Sequence, residues 1–525
     1  MKKKYVGILM ALVLAVTGTM TACGGESPAK PKPKTETSSA SSSSSSESSS
    51  SAASSSSNES ASTAESESSA ASSETAAAEE TKTDEQYAYQ LKDDGSIAMN
   101  YGAILHAFAW DFKTITANLQ DIKDAGYTSI QTSPINQCKE GENGGMALYS
   151  EDDKGKWYYH YQPTDYVIGN YQLGTEEEFK TLCKEADKIG LKIIVDVPLN
   201  HTTSDESVIS QNIFDICENP FHGKGDIATY ASRKQVTQND LLGLKDLNTQ
   251  DKDVQAYLLK YLKTCIEDGA SGFRFDAAKH IELPDDDEAY ASDFWPTILD
   301  NGAEFQYGEI LQSENDRYAD YAAIMNVTAS NYGEKMRSAT HGYVSTAAVE
   351  SYVVGDVDPS KLVTWVESHD NYCNDGEDSW YNMDEPDVEF GWAIIAARSG
   401  GTPLFFSRPN NASKDNPWGD NVIGKAGSDG YKSENVSALN HFRNEMAGLG
   451  EKLSNPDEDG KVLMIERGDK GAVIINMSDK DYELKDAESV RADGTSKDKV
   501  TDAEFTVSGG KINGKVPTKG IIVIY

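Results

Sequence analysis

In the stretch Gly272-Phe273-Arg274-Phe275-Asp276-Ala277-Ala278-Lys279-His280, charged residues are set into an apolar alternation. Phe273, Phe275 and Ala277 alternate with Arg274 and Asp276, and a polar end follows at Lys279-His280; this reads as a short strand running into a loop. Residues two apart on a strand project to one side, so Arg274 and Asp276 share a face. That face must meet partners or water, because an apolar core penalises unpaired charge. A fixed guanidinium beside a carboxylate favours its ionised form and keeps a nucleophile ready at neutral pH. Taken alone, the pair reads equally as a structural ion pair at a strand end. Three further stretches bear on the choice: Ile193-Ile194-Val195-Asp196-Val197-Pro198-Leu199-Asn200-His201, Glu304-Phe305-Gln306-Tyr307-Gly308-Glu309-Ile310 and Trp365-Val366-Glu367-Ser368-His369-Asp370-Asn371. Each is an apolar strand with acidic or imidazole groups at its C-terminal end, which is where a (β/α)8 barrel puts its chemistry.

Taken in chain order, the four segments resemble the four signature regions of the α-amylase family of glycoside hydrolases. The resemblance runs from about Ile104 to the C-terminus, and it is strongest toward secreted bacterial saccharifying-type α-amylases, whose second region reads Phe-Arg-Phe-Asp-Ala-Ala-Lys-His as here. It implies an α/β chain: a (β/α)8 TIM barrel with an inserted domain B and a C-terminal antiparallel β-sandwich. The implied activity is endohydrolysis of α-1,4-glucosidic bonds in starch and maltooligosaccharides by a retaining double displacement. Such a reaction needs one carboxyl group to protonate the leaving oxygen and another to attack the anomeric carbon, about 5–5.5 Å apart. Asp276 matches the family's nucleophile, Glu309 its acid/base and Asp370 its third carboxylate. Neighbouring carboxylates are expected to raise the pKa of Glu309, and Arg274 to hold that of Asp276 down. His201 and His369 match residues that bind sugar hydroxyls at the cleavage point, and Lys279 and His280 match the leaving-group side. Tyr161 and Gln162, with Trp157 and Tyr158 nearby, suggest an aromatic platform for a glucose ring or, equally from the residues, a packed aromatic cluster. The family's calcium site corresponds to Asn200, Thr237, Asp246 and His280, with Thr237 and His280 acting through backbone carbonyls; oxygen donors suit a hard cation. No second arginine matches the chloride site of some relatives, so chloride is left unassigned. Two other readings are a transglycosylase or maltodextrin hydrolase of the same family, and a non-catalytic starch-binding lipoprotein on an inactive barrel.

The chain has 525 residues and a formal net charge of −37. Two or three structural units are expected at that length. The charge argues against nucleic acid or an anionic membrane surface as a partner and suits a neutral substrate. Lys2-Lys3-Lys4, an apolar run from Val6 to Val16 and small residues up to Cys23 fit a secretory signal peptide over residues 1–22. Met20-Thr21-Ala22-Cys23 also resembles a lipoprotein cleavage box, which makes Cys23 the candidate lipidation site of an extracellular, surface-anchored protein. Ser, Ala and Glu dominate residues 23–86, a composition too polar to offset ordering entropy and expected to form a disordered tether. Of the remaining Cys138, Cys183, Cys217, Cys265 and Cys373, an odd number cannot all pair. Cys183 and Cys265 fall on apolar helix faces and are expected as buried thiols. A monomer is expected.

The elements that position the chemistry follow from periodicity. Barrel strands are expected near 103–110, 129–134, 192–197, 272–277, 303–308, 361–368 and 402–406, with a sixth at Ser345–Val349. Helices are expected over Ile115–Ala125, Thr175–Ile189 (opening on a capping sequence), Asp251–Asp268 and Asn435–Ala447. The barrel domain spans 87–448, and domain B falls at about 201–244, a stretch without sustained periodicity. Strands at Val462–Arg467, Gly471–Asn476 and Gly520–Tyr525 point to a sandwich over 449–525.

Overall fold

A computed structural model describes residues 97–141, 145–150, 156–313, 316–340, 344–374, 376 and 379–525. The leader, Cys23, the Ser-rich tether and the first residues assigned to the barrel domain lie outside the described residues. Eight parallel strands close a barrel: β1 Ile104–Ala107, β2 Ser129–Thr132, β3 Lys192–Val197, β4 Gly272–Phe275, β5 Phe305–Gly308, β6 Asn326–Thr328, β7 Leu362–Trp365 and β8 Thr402–Phe406. Around the barrel the order is β1-β8-β7-β6-β5-β4-β3-β2, so every strand neighbours its predecessor in the chain.

Alternation along each strand divides its side chains between two cores. On β3, Ile193, Val195 and Val197 face the helices, while Ile194 enters the barrel interior with Met99, Ile104, Phe305, Tyr307, Val363, Trp365 and Leu404. On β4, Phe273 and Phe275 likewise pack outward, which leaves Gly272 and Arg274 for the inside. Registration completes the arrangement: Asp196 pairs with Arg274, and Arg274 with Tyr307. A charged layer therefore closes the C-terminal end of an apolar barrel. Gly272 has to be glycine, because a Cβ there would lie 2.5 Å from the Phe305 carbonyl oxygen.

The helices begin where their caps dictate. Asp111 accepts from the Thr114 amide at the start of α1 (Phe112–Asp124). Thr175 and Glu178 form the expected reciprocal capping box at the start of α2 (Glu176–Lys188). Between β3 and the next long helix the chain leaves the barrel through short elements, among them α3 (Arg233–Gln238), and returns by pairing His201–Thr202 with Lys245–Asp246. Asp251 then caps α4 (Lys252–Glu267) through the Asp253 and Val254 amides.

The sixth strand is not where the periodicity put it. Asn326–Thr328 forms β6, and Thr346–Val349 is a helical turn. A three-residue strand is too short to show an alternation, whereas Ser345 accepts from the Ala348 amide and starts a helix instead.

The C-terminal region comprises β9 Glu451–Ser454, β10 Val462–Arg467, β11 Gly471–Asn476, β12 Tyr482–Glu488, β13 Gly494–Lys497, β14 Glu504–Ser508, β15 Lys511–Val516 and β16 Gly520–Ile524. They form two antiparallel sheets, β9-β10-β11-β16 and β12-β15-β14-β13. Val462, Met464, Ile474 and Ile522 pack against Leu484, Phe505, Val507 and Ile512 between the sheets. The other face of the first sheet, with Leu463, Ile465, Val473 and Ile475, joins the core that holds the barrel helices. Cys138, Cys183, Cys217, Cys265 and Cys373 are free thiols, with Cys183 and Cys265 buried as expected. Among the described residues no helix is long and apolar enough to cross a membrane.

Candidate active site

Arg274 is the hub of the charged layer. Its side chain is 4% exposed, and its Nη1 lies 2.8 and 2.9 Å from the two oxygens of Asp196 and 2.8 Å from Asp276 Oδ1, while Nη2 lies 2.8 Å from Glu309 Oε1. The side chain of Asp196 is fully buried and also accepts from the Tyr161 hydroxyl at 2.9 Å. The Tyr161 ring covers the guanidinium, 5.8 Å from its centroid. Asp276 continues the ladder beyond β4 through its amide, which donates to the Val197 carbonyl. Ala277 then turns into the left-handed region at φ 49° and its amide donates to Glu309 Oε2 at 3.0 Å. A non-glycine residue held there is costly and typical of sites whose surroundings fix the turn. Asp370 sits in the first turn of the helix His369–Asn374 and hydrogen-bonds Glu309; its side chain is 40% exposed and forms the open edge of the cluster.

The electrostatics reverse the sequence-derived assignment for the two central acids. Burial pushes Asp276 up to about 8 against the pull of Arg274, with Glu309 and Asp196 adding repulsion. Burial would raise Glu309 too, but Arg274, the Ala277 amide and Lys279 together outweigh it and hold this carboxyl below its ordinary value. Asp370, open to water on one side, is raised above the carboxylate range by the partial desolvation of its inward side and by the charge of Glu309, and burial lifts Asp196 to about 6. The reason is distribution: Arg274 is shared among three carboxylates, and Glu309 receives an amide donor in addition.

Around this cluster stand the other residues singled out by the sequence. His369 stacks on Tyr161 with ring centroids 5.1 Å apart and planes 6° from parallel, and lies near His106, Phe108 and Trp157. Tyr161 and Trp157 belong to one packed cluster with Phe108, Leu148, Tyr372 and Phe406, so the platform beside the carboxylates is also a packing unit. His201 Nε2 donates to the Tyr161 carbonyl at 3.1 Å. Lys279 is buried, and its Nζ donates to the Leu311 carbonyl at 3.2 Å. Gln162 accepts from Thr203 and braces two loops; the structure gives it no hydrogen bond to the carboxylates.

The four residues matched to a calcium site fall on both sides of the seam between the inserted segment and the barrel. Asn200 Oδ1 is buried without a hydrogen-bond partner. Asp246 is buried, contacts His222 Nδ1 at 2.6 Å, and is forced well above the carboxylate range by burial, Glu282 and Asp240. His280 Nδ1 donates to the Val236 carbonyl at 2.9 Å, next to Thr237, whose hydroxyl donates to the Arg233 carbonyl. Among the described residues no group of three or more His, Cys, Asp and Glu side chains is placed to hold a metal. An orphaned amide oxygen beside a crowded, buried carboxylate nevertheless suits a hard cation that takes amide and backbone oxygens.

With this geometry in view, the comparisons with known proteins are decisive about kinship. The family model described as "Alpha amylase, catalytic domain" matches residues 70–220. An α-amylase of Butyrivibrio fibrisolvens is 45% identical over 462 residues, covering 81% of this chain and 47% of that protein. The chain belongs to the α-amylase family. An α-amylase of Clostridium acetobutylicum is 35% identical over 437 residues, covering 81% of this chain and 54% of its own length. This chain thus spans about half the length of the curated relatives it matches. The fold is shared with α-amylase I of Eisenia fetida, solved as a mutant in complex with maltohexaose (TM-score 0.65, 19% identity, 81% of this chain and 97% of that one). It is shared also with the α-amylase of Geobacillus thermoleovorans solved with acarbose (TM-score 0.62, 16% identity, 81% and 98%).

Against the α-amylase-family frame, several site residues escaped the reading from sequence alone. Asp196, the penultimate residue of β3, stood out as an acidic side chain near the end of an apolar strand but was given no role. His106, on β1, is buried with its Nε2 unpartnered, and burial and Arg274 push it down to about 3, so it lines the cluster as a neutral ring. His222 and Glu282 join Asp246 only through tertiary folding, with His222 Nε2 3.7 Å from Glu282. Nothing in their local sequence marks them.

Proposed function

We propose that the chain is an extracellular endo-acting α-amylase that hydrolyses α-1,4-glucosidic bonds with retention of configuration. The observation that carries this reading is that Asp276 and Glu309 bind the two terminal nitrogens of one guanidinium. That holds the two carboxyl groups together in one cluster, the pairing that a covalent double displacement needs. Glu309 would give its proton to the leaving oxygen while Asp276 attacks the anomeric carbon and forms the covalent glycosyl intermediate. Glu309 would then take a proton from water, which attacks the same carbon and frees Asp276. Asp370, with His201 and His369, would hold the hydroxyls of the distorted sugar, and Tyr161 would face the ring.

Calcium fits the seam between the inserted segment and the barrel: Asn200 and Asp246 would hold it by side chains, Thr237 and His280 by backbone carbonyls. When bound it would supply positive charge to the buried Asp246 and tie the inserted segment to the His280 loop. The leader-like residues 1–22 and Cys23 support export and a lipid anchor as part of the same proposal.

The test is the product profile on soluble starch, with Asp276→Asn as control. Rapid loss of iodine staining with mixed maltooligosaccharides, abolished in the variant, is the expected result. Longer or rearranged glucans would assign a transferase instead, and unchanged starch would leave only a binding protein.

A further inference from the structure

Helix α3, which carries Thr237, also carries an arginine outside every motif. Arg233 Nη1 donates to the Lys279 carbonyl at 2.7 Å, and Nη2 donates to the Ile281 carbonyl at 3.3 Å and the Tyr321 hydroxyl at 2.7 Å. Its Nε and Nη2 also bind the Asp286 carboxylate, at 3.2 and 2.9 Å. Tyr321 passes the contact on, donating to the carbonyls of Lys279 and Ile281. Asp286 is fixed independently by Arg317 and by the Leu283 amide. With His280 donating to the Val236 carbonyl of the same helix, three consecutive residues of the 277–282 loop are gripped by α3. That loop begins with the Ala277 amide on Glu309 and carries Lys279, whose Nζ is anchored on the Leu311 carbonyl, two residues past Glu309.

We propose that Arg233 is a positioning residue for the leaving-group half of the site, through which the inserted segment sets the aim of the 277–282 loop on Glu309. The inference rests on the reading of Glu309 as the acid. Both acids bind Arg274, but Asp276 precedes the loop and takes its backbone anchor from Val197, whereas Glu309 takes its second contact from the Ala277 amide of the loop itself. Losing the fork therefore weakens protonation of the leaving oxygen more than the attack on the anomeric carbon. A leaving group that departs as a stable phenolate needs little of that protonation.

The test compares full-length Arg233→Gln and Tyr321→Phe with the parent on maltoheptaose and on an aryl α-maltotrioside bearing an activated phenol, with melting temperatures recorded. Mispositioning of an acid that contributes 10²–10⁴-fold should lower kcat on maltoheptaose by about 10- to 100-fold in Arg233→Gln, with the aryl substrate losing at most about threefold. Tyr321→Phe should show the same selectivity with a smaller loss. Equal losses on both substrates, or no loss, in a folded variant would overturn the proposal. If Arg233→Gln does not fold, Tyr321→Phe decides by the same criterion. A parent that turns over neither substrate, or a Glu309→Gln variant that still turns over maltoheptaose, would instead overturn the acid assignment beneath it.

Discussion

Replacing the buried Asp276 by Asn should stabilise the protein, by an amount that depends on pH. Its folded pKa is raised to about 8 from an ordinary 3.8, chiefly by burial. A carboxyl raised in this way contributes its full share of stability below pH 3.8, where it is protonated in both states, and loses that share as pH climbs toward 8. One pKa unit corresponds to 1.36 kcal/mol, so the span from 3.8 to pH 7 amounts to roughly 4 kcal/mol of accumulated penalty. Asn carries no charge to desolvate and still offers Arg274 Nη1 an acceptor in place of Oδ1. At pH 7 the native Asp276 is already largely protonated, so Arg274 loses no charged partner; the neighbouring acids share the titration and take up part of the penalty, which leaves about 2–4 kcal/mol at neutral pH. Domains of 150–250 residues shift by about 2–4 °C per kcal/mol and larger ones by less, so a rise of about 3–6 °C is expected at pH 7. Thermal unfolding of parent and Asp276→Asn should be followed from pH 4 to 9. The two should melt together at pH 4 and separate progressively up to pH 8, with the variant higher. If Arg274 instead held Asp276 below its ordinary value, the variant would melt lower than the parent at neutral pH. That sign, or a difference independent of pH, would refute the reasoning.

Arg274→Lys should fold poorly or lose most activity, because a single ammonium cannot serve Asp196, Asp276 and Glu309 at once; breaking a buried pair costs about 3–5 kcal/mol, measurable by urea unfolding beside kcat. Chelation should lower the melting temperature, and Asn200→Ala should weaken calcium affinity measured by calorimetry at least tenfold; a chelator-insensitive melting curve would remove the cation from the assignment. Gly272→Ala should lower the urea midpoint or abolish soluble expression, since its Cβ would meet the Phe305 carbonyl oxygen at 2.5 Å and overpacking costs about 1–3 kcal/mol.

The legible parts of the chain were those where side-chain pattern and backbone need coincide. β3 and β8 appear at the expected residues, and the capping box at Thr175 and the Asp251 start of α4 were readable because each cap is a local sequence event. β6 was invisible, because three residues hold no period. The strands β12 to β15 were also missed: β12, β14 and β15 bury isolated positions among exposed, charged or polar ones, and β13 buries none. In the candidate site, the residues that end strands stood out as polar groups in apolar runs. Arg233, His222 and Glu282 did not, since their partners lie far away in sequence and only closure of the inserted segment brings them together.

Charge balance links the fold to the proposed chemistry. Asp196, Asp276, Glu309 and Asp370 crowd around Arg274, with Lys279 as the nearby second cation acting on Glu309. Four acids against two cations in a buried layer cannot all ionise, so protons are retained near neutral pH. Without substrate, burial raises Asp276 and Asp370 while Arg274 and the Ala277 amide hold Glu309 down, so the retained protons favour the first two. The proposed first step needs the opposite arrangement, with Asp276 ionised and Glu309 protonated. Glu309 hydrogen-bonds Asp370 and shares Arg274 with Asp276, so the transfer involves groups already in contact. A neutral sugar bound against Asp370 and the Tyr161–His369 wall would expel water from the open edge of the cluster and change which carboxyl the proton prefers. Activity should therefore depend on pH through values that belong to the cluster as a whole. Neutralising Asp370 with Asn should move both limbs of the kcat profile, because no acid in this layer titrates alone.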